Sequence, residues 1–418
     1  MVKGIKETEI GLIPSDWEVK KIEPDVGIVK SGKRLPKGYS LSEVPNHHPY
    51  IRVADMMMGR IDENDIKYVP EEIADLIEQY KIYENEVYIS VAGTLGIVGK
   101  IPSKLNGANL TENANKITDI KCNQDYLMYW LMSDYIKRQI DSTQTIGAQP
   151  KLALERIRNF LVPIPSLKEQ NAIAEALGDM DELINVLEKE IEKKKNIKYG
   201  VLQKLIVGEE RIAGYTGKWV SINMAKKSKL KARIGWQGLT TAEYLDSGYS
   251  YLVTGTDFED GHINWDECHY VTADRYFQDP NIQLTNGDVL ITKDGTIGKV
   301  ALVDGLNKPA TLNSGVFVVR PINNAYSARF LYYVLESRVF GDFLDMLSAG
   351  STIVHLYQKD LVNFSFMAPA TLDEQEAIAS IIYDMDCEIR EFEDKLRKYK
   401  KIKQGMMNDL LTGKIRLV

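Results

Sequence analysis

Cysteine and histidine are both scarce in this chain, three and five among 418 residues. Cys122, Cys268 and Cys387 stand far apart, which excludes a disulfide scaffold and fits a reducing compartment, the cytoplasm. His47-His48, His262 and His269 beside Cys268 show no ligand spacing, so no metal site is expected, and His47-His48 beside Pro49 reads as a surface turn. No apolar run approaches the roughly 18–20 residues that cross a bilayer. The stretch Met1 to Glu9 is charged and lacks an apolar core, so no signal peptide is expected. Positive charge is not in excess either: the formal net charge is −7, without the overall basic footprint of many nucleic-acid binders. Net charge misleads when acids lie remote from a binding face, so local distribution matters more.

What the chain does have is itself, twice. Asp179-Met180-Asp181 returns as Asp384-Met385-Asp386, and Leu205–Arg211 as Leu410–Arg416. Gly93-Thr94-Leu95-Gly96 returns as Gly295-Thr296-Ile297-Gly298, Asp55 as Asp257, Gly59 as Gly261 and Trp17 as Trp219. The offset drifts only from 202 to 205. A period this long is not a solenoid, whose units run to roughly 20–50 residues. It means two complete domains related by pseudo-symmetry, and such a protein suits a two-fold or bipartite partner.

Each half divides again. Strand-like runs broken by Gly, Pro and Asn are Pro49–Val53, Glu86–Val91 and Ile97–Ile101, then Tyr251–Thr254, Asp288–Thr292 and Gly315–Val319. Helical stretches follow at Tyr126–Ile140 and Ala328–Met346. Each module is therefore expected to be α+β.

Ser166-Leu167-Lys168-Glu169 and Thr371-Leu372-Asp373-Glu374 read as capping boxes, with Pro165 and Pro369 just before them. Apolar residues then step by four and three. The first series is Ile173, Leu177, Met180, Ile184, Leu187 and Ile191, then Val201 and Leu205. The second is Ile378, Ile382, Met385, Ile389, Phe392, Leu396 and Tyr399, then Met406 and Leu410. This is a heptad seam, and Gly208 and Gly413 stand where a glycine cap belongs. Each helix would run to roughly 40 residues, or about 60 Å. So narrow a stripe cannot be buried by one compact module, so the two helices are expected to pack on each other, antiparallel, as a spacer between the modules. Lys194 and Lys198 interrupt the first seam where Tyr399 and Lys403 stand in the second.

Basic residues cluster after each repeated Trp. Lys226, Lys227, Lys229, Lys231 and Arg233 share a segment, Asn223–Trp236, that contains no acid. Lys20, Lys21, Lys30, Lys33, Arg34 and Lys37 lie at the equivalent place in the first half, with only Glu23 and Asp25 against them. Either cluster alone could be a solvated loop. Their recurrence points to a polyanion, with Lys30, Lys33, Arg34 and Lys37 in one half and Lys226, Lys227, Lys229, Lys231 and Arg233 in the other as phosphate contacts.

Three enzymatic readings fail on their motifs. Gly93 to Lys100 mimics a phosphate-binding loop, but five residues separate Gly93 from Gly99 and Ile101 follows the Lys. The Gly-Thr-x-Gly turns are instead expected to join strands, with Thr94 and Thr296 placed to meet a DNA backbone. No Asn/Asp-Pro-Pro-aromatic tetrapeptide of a DNA methyltransferase is present; Asp279-Pro280-Asn281 is the nearest. A metal nuclease lacks ligands. A coiled-coil scaffold presenting two protein-binding modules, without DNA contact, stays open.

The order of these motifs resembles the specificity subunit of type I restriction–modification systems: Ile13-Pro14-Ser15-Asp16-Trp17, a Gly-Thr-x-Gly turn late in each module, Pro165-(x)3-Glu169-Gln170 and Pro369-(x)4-Glu374-Gln375, and Leu410-Leu411-Thr412-Gly413-Lys414-Ile415. The resemblance implies target-recognition domains at 1–160 and 214–365 and long spacer helices at 161–213 and 366–418. It implies an α+β fold with two similar globular domains separated by two long helices packed as an antiparallel coiled coil, pseudo-two-fold. It also implies a subunit that is non-catalytic by itself, needs no cofactor, reads double-stranded DNA, and joins two methyltransferase (modification) subunits and translocase/nuclease (restriction) subunits. Two diverged modules at a fixed separation suit two short sequences at a fixed gap on B-DNA.

Overall fold

The computed structural model describes residues 4–142, 151–234, 238–348 and 355–417; Trp236 and Met1 lie outside them. The chain forms two compact units, Met1–Glu188 with Asp394–Val418, and Lys189–Glu393.

In the first unit the antiparallel sheet runs Val98–Lys100, Val87–Ser90, Ala114–Thr118, Ile28–Ser31. Its strand Val87–Ser90 is buried throughout, because successive side chains enter different cores. Val87 and Ile89 join Trp17, Tyr126, Trp130 and Leu177, while Tyr88 joins Ile51, Ile82 and Leu110 under a second sheet. The second unit repeats the device. Its four-stranded sheet runs Ser228–Lys231, Val316–Pro321, Val289–Thr292, Val300–Leu302. Val289 and Ile291 face Phe330, Tyr333 and Ile382, whereas Leu290 faces Tyr251, Ala310 and Leu312. A strand with both faces covered reads as a continuous apolar run, which is why these segments stand out in the sequence.

The expected helical stretches each run as two helices. Gln124–Leu131 is followed by Asp134–Asp141, and Ala328–Glu336 by Arg338–Ser348. The breaks fall at Ser133 and Ser337, both extended; the Ser337 hydroxyl donates to the Val334 carbonyl at 2.7 Å and accepts from the Val339 amide at 3.2 Å. At Ser337 a serine that satisfies the backbone locally competes with helix continuation.

The long helices span Leu167–Val207 and Leu372–Leu410, 41 and 39 residues. Gly208 and Gly413, with φ of +76° and +70°, end them in the left-handed conformation that glycine adopts without strain. The helices pack antiparallel within each unit. Asp181 meets Lys403 at 2.5 Å and Glu188 meets Lys400 at 2.8 Å in the first; Lys194 meets Glu388 at 2.6 Å and Lys198 meets Asp386 at 2.6 Å in the second. Along the seam Ile173, Leu177, Ile184, Leu187, Ile191, Ile378, Ile382 and Ile389 are buried, and Met180, Met385, Phe392, Leu396 and Tyr399 are half-buried.

Lys198 does not interrupt the seam. It is the counterpart of Lys403, and the two make matching ion pairs with the repeated aspartates. Those aspartates also accept from module tyrosines, Tyr129 to Asp181 at 2.8 Å and Tyr333 to Asp386 at 2.7 Å. Burial, then the carboxylate charge, pushes both phenols well above their ordinary pKa, so each hydroxyl remains a donor.

The capping boxes form only in part. Ser166 Oγ accepts from the Glu169 amide at 3.3 Å, but the Glu169 carboxylate accepts from Arg416 at 2.8 and 2.6 Å and from Trp17 Nε1 at 3.2 Å. Glu374 likewise accepts from Arg211 at 3.1 and 2.5 Å. An arginine fork outcompetes the single backbone amide a capping box would offer. The adjacent glutamines tie each long helix to a module helix. Gln170 Oε1 accepts from the Asn123 amide at 2.8 Å and Gln375 Oε1 from the Ser327 amide at 2.7 Å.

Candidate nucleic-acid interface

Each Gly-Thr-x-Gly turn is held by the last hydroxyl of its strand. Ser90 Oγ donates to the Thr94 carbonyl at 2.6 Å and accepts from the Ile97 amide at 2.8 Å. Thr292 Oγ1 does the same with the Thr296 carbonyl at 2.5 Å and the Lys299 amide at 2.9 Å. The flanking glycines all have positive φ, between +70° and +80°. A Cβ at Gly96 would stand 2.9 Å from Ile140 Cδ1, and one at Gly298 would stand 2.3 Å from Leu344 Cδ1, so each turn lies tight against a module helix. Thr94 and Thr296 are exposed at the tips.

Strand register brings the basic edge strand to the same end of the sheet. Ser90 lies opposite Ala114, and Ser31 opposite Asn115, one residue away. In the second unit Thr292 lies opposite Val316, and Lys231 opposite Val318. Lys30 lies opposite Lys116. Since Ala114 and Val316 are counterparts, Lys30 and Lys231 occupy the same place in the two sheets, and both are exposed.

The remaining expected contacts are less uniform. Lys33 is exposed with Nζ 5.8 Å from the Tyr80 ring centre, Arg34 is exposed and donates to Glu112 at 3.0 Å, and Lys37 is exposed. Lys226 and Lys227 are exposed on the short helix Met224–Lys227. Lys229 and Lys231 point outward while Ser228 and Leu230 point in, the period of a half-buried strand. Arg233 departs from the expectation. It is 2% exposed, donating from Nε to the Leu312 carbonyl at 2.8 Å and from Nη2 to Thr311 at 3.2 Å. Burial and then the nearby Arg275 charge lower its pKa. In this fold Arg233 is a buried brace, its guanidinium turned inward to the Leu312 carbonyl and Thr311 and away from the exposed lysines of its strand.

Beside the second turn lie residues that the basic pattern missed. His355 Nδ1 contacts Asp294 Oδ1 at 2.5 Å, its ring lies 5.9 Å from that of Tyr357, and Lys359 Nζ sits 5.1 Å from the Tyr357 ring centre. Only the identity of Asp294, next to the repeated Gly295, hinted at them. His47 is exposed at a bend, as a surface turn should be. Among the described residues no group of three or more His, Cys, Asp or Glu side chains could hold a metal ion, and no helix is long and apolar enough to cross a membrane.

Two copies of an α+β module, each with an exposed turn and a basic edge strand, joined through paired long helices, define the class of protein. The chain belongs to the type I restriction modification DNA specificity domain family, whose model matches residues 14–197 and 242–403. It is 26% identical to the MjaVIII specificity subunit of Methanocaldococcus jannaschii, over 99% of this chain and 96% of that one. It is 24% identical to the putative MjaX specificity subunit of the same organism, over 99% and 97%. The fold matches the crystal structure of a type I restriction–modification S subunit from M. genitalium with a TM-score of 0.58, at 16% identity over 94% of this chain and 96% of that one. The protein is thus the DNA-recognition subunit of a type I restriction–modification complex.

Proposed function

We propose that each module reads one half of a bipartite, asymmetric DNA site and that the long helices set the gap between the halves. In this reading residues 1–160 and 214–365 are the recognition domains, and 161–213 and 366–418 are spacers that also dock two methyltransferase subunits, with translocase/nuclease subunits joining for cleavage. The subunit works in the cytoplasm, uses no cofactor and performs no chemistry itself. The observation that carries this reading is the matched pair of exposed lysines, Lys30 and Lys231, each on an edge strand that ends at the same end of its sheet as an exposed Gly-Thr-x-Gly turn. A scaffold that never touched DNA would have no reason to keep both features in both copies. Lys33, Arg34 and Lys37 extend the first cationic edge, and Lys226, Lys227 and Lys229 the second, with Thr94 and Thr296 offering hydroxyls at the tips.

Phosphate contacts supply affinity without sequence information. Neutralising Lys30, Lys33, Arg34 and Lys37 together, or Lys226, Lys227, Lys229 and Lys231, should weaken binding to all duplexes alike and flatten the salt slope by up to about one unit per cation removed. Arg233→Gln, by contrast, should act on stability and leave the salt slope alone. Titrations of the full chain on duplex DNA at several salt concentrations read both. Unchanged affinity and slope in the neutralised variants would overturn the reading.

A further inference from the structure

The two units share a framework at the turn and differ in what they present beside it. The Leu152 amide donates to the Val91 carbonyl at 2.9 Å, and the Leu356 amide to the Lys293 carbonyl at 2.9 Å. These bonds make Leu152 and Leu356 counterparts, both buried. They also align Ala92 with Asp294, Lys151 with His355, Ala153 with Tyr357 and Glu155 with Lys359. In the last three pairs both members are exposed. The shared part is Ser90/Thr292, the glycines and Thr94/Thr296. Among the described residues the exposed threonines form no side-chain hydrogen bond that would explain their retention in both copies. Every exposed neighbour differs.

We infer that Asp294, His355 and Tyr357 are the base-reading residues of the second unit, and that Ala92, Lys151 and Ala153 take their place in the first. The inference rests on the DNA-recognition reading above and says which side chains distinguish the half-sequences. A shared threonine beside a glycine turn suits the phosphate backbone, which is the same at every site; sequence must be read by side chains that differ. In the second unit these side chains hold one another. Asp294 holds the imidazole through Nδ1, and the Tyr357 ring lies between His355 and the Lys359 ammonium. His355 and Tyr357 are still about half exposed, at 49% and 52%. Exposed side chains fixed by neighbours lose less freedom on binding than ones that must be ordered. An imidazole edge, a phenol and a carboxylate offer both donors and acceptors to a major-groove edge. Lys151 offers donors only, which suits guanine, and Ala153 a methyl, which suits thymine. The two halves should therefore select different bases at equivalent positions.

The test is binding selection from random duplexes by the full chain coexpressed with its modification subunits. Asp294→Ala, His355→Lys and Tyr357→Ala, each importing the residue of the other unit, should change or relax the second half-sequence at one or two adjacent positions by about tenfold or more. The first half-sequence and the gap should stay as they were, and Lys151→His should alter only the first half. Tyr357→Phe, which removes one hydroxyl, guards against an effect of disturbed packing. Unchanged half-sequences at unchanged affinity would overturn the inference. So would a uniform loss of affinity with a flatter salt slope, since that marks phosphate contacts. If the unaltered complex selects no bipartite sequence, the DNA-recognition reading itself falls, a different result from selection that survives every substitution.

Discussion

Glu169 and Glu374 are 0% and 2% exposed, and a carboxylate so placed persists only where donors replace water. Arg416 and Arg211 supply them, each from just past the end of one long helix to the start of the other. The two sites are not equal. Glu169 also receives Trp17 Nε1, and Arg416 also grips Asp16 at 2.8 Å, whereas Trp219 Nε1 is buried without a hydrogen-bond partner among the described residues. Removing one member of a buried pair costs about 3–5 kcal/mol because the other charge stays behind. Arg211→Ala should therefore destabilise its unit by roughly 3 kcal/mol, and Arg416→Ala by less, since the Trp17 donor remains. Adding Glu374→Gln to Arg211→Ala should restore part of the loss by removing the stranded charge. Chemical denaturation of the three variants gives the order; equal losses would show that the Trp17 donor does not compensate for Arg416, and no recovery in the double variant would show that a stranded charge is not the cost. The Arg416 fork also lowers the Asp16 carboxyl from its ordinary pKa, so that contribution is full above the ordinary carboxylate range and fades as pH falls below it.

At the scale of elements, the long helices combine an apolar seam with a few fixed ion pairs. Lys198, with its side chain only 16% exposed, lies between Glu336 and Asp386 at 3.2 and 2.6 Å. Burial works against its charge, but the two carboxylates outweigh that and raise its pKa. Apolar seams tolerate sliding by a heptad, whereas a buried lysine has one place where its partners are, so these pairs set register. If the helices are the ruler of the DNA gap, one heptad inserted in both, after Leu187 and after Phe392, keeps the seam in phase. It lengthens the pair by about 10 Å, or about three base pairs. The recognised half-sequences should stay and the gap should grow, which methylation mapping of host DNA would read directly. A changed half-sequence or an unchanged gap would mean that something else sets the spacing.

At the scale of the whole molecule, the repeated contacts make the two helices nearly interchangeable. Asp181 with Lys403 matches Asp386 with Lys198, and Glu169 with Arg416 matches Glu374 with Arg211. A chain ending just past Arg211 keeps Asp181, Lys198, Glu169 and Arg211, one half of each pair and the partner it needs from a second copy. Its seam residues Ile173, Leu177, Met180, Ile184 and Leu187 would be uncovered, and self-association is the direct way to cover them. The truncated chain should therefore form an isologous dimer with two identical modules, and its DNA site should become an interrupted palindrome of the first half-sequence. Light scattering gives the mass and binding selection gives the site. A stable monomer, or a dimer that selects an asymmetric site, would sink the equivalence of the helices.

Duplication, the long helices and the strand cores were legible in the chain because each is written in local spacing. The heptad steps from Ile173 and from Ile378, the glycines at 208 and 413, and the apolar runs around Val87 and Val289 carry their own geometry. The family likewise followed from the order of motifs. Tertiary structure alone decided the partners. Glu169 and Arg416 are 247 residues apart, and nothing local tells a glutamate whether a backbone amide or a distant guanidinium will reach it first. The same limit misled the reading of Arg233, which in sequence is one more cation in a basic run and in the fold is a buried brace. It also hid Asp294, His355 and Tyr357, which become one surface only when the strand end and the segment after the module helices are hydrogen-bonded together. Periodicity is a property of the chain, but charge pairing and surface composition depend on which distant segments the two cores bring into contact.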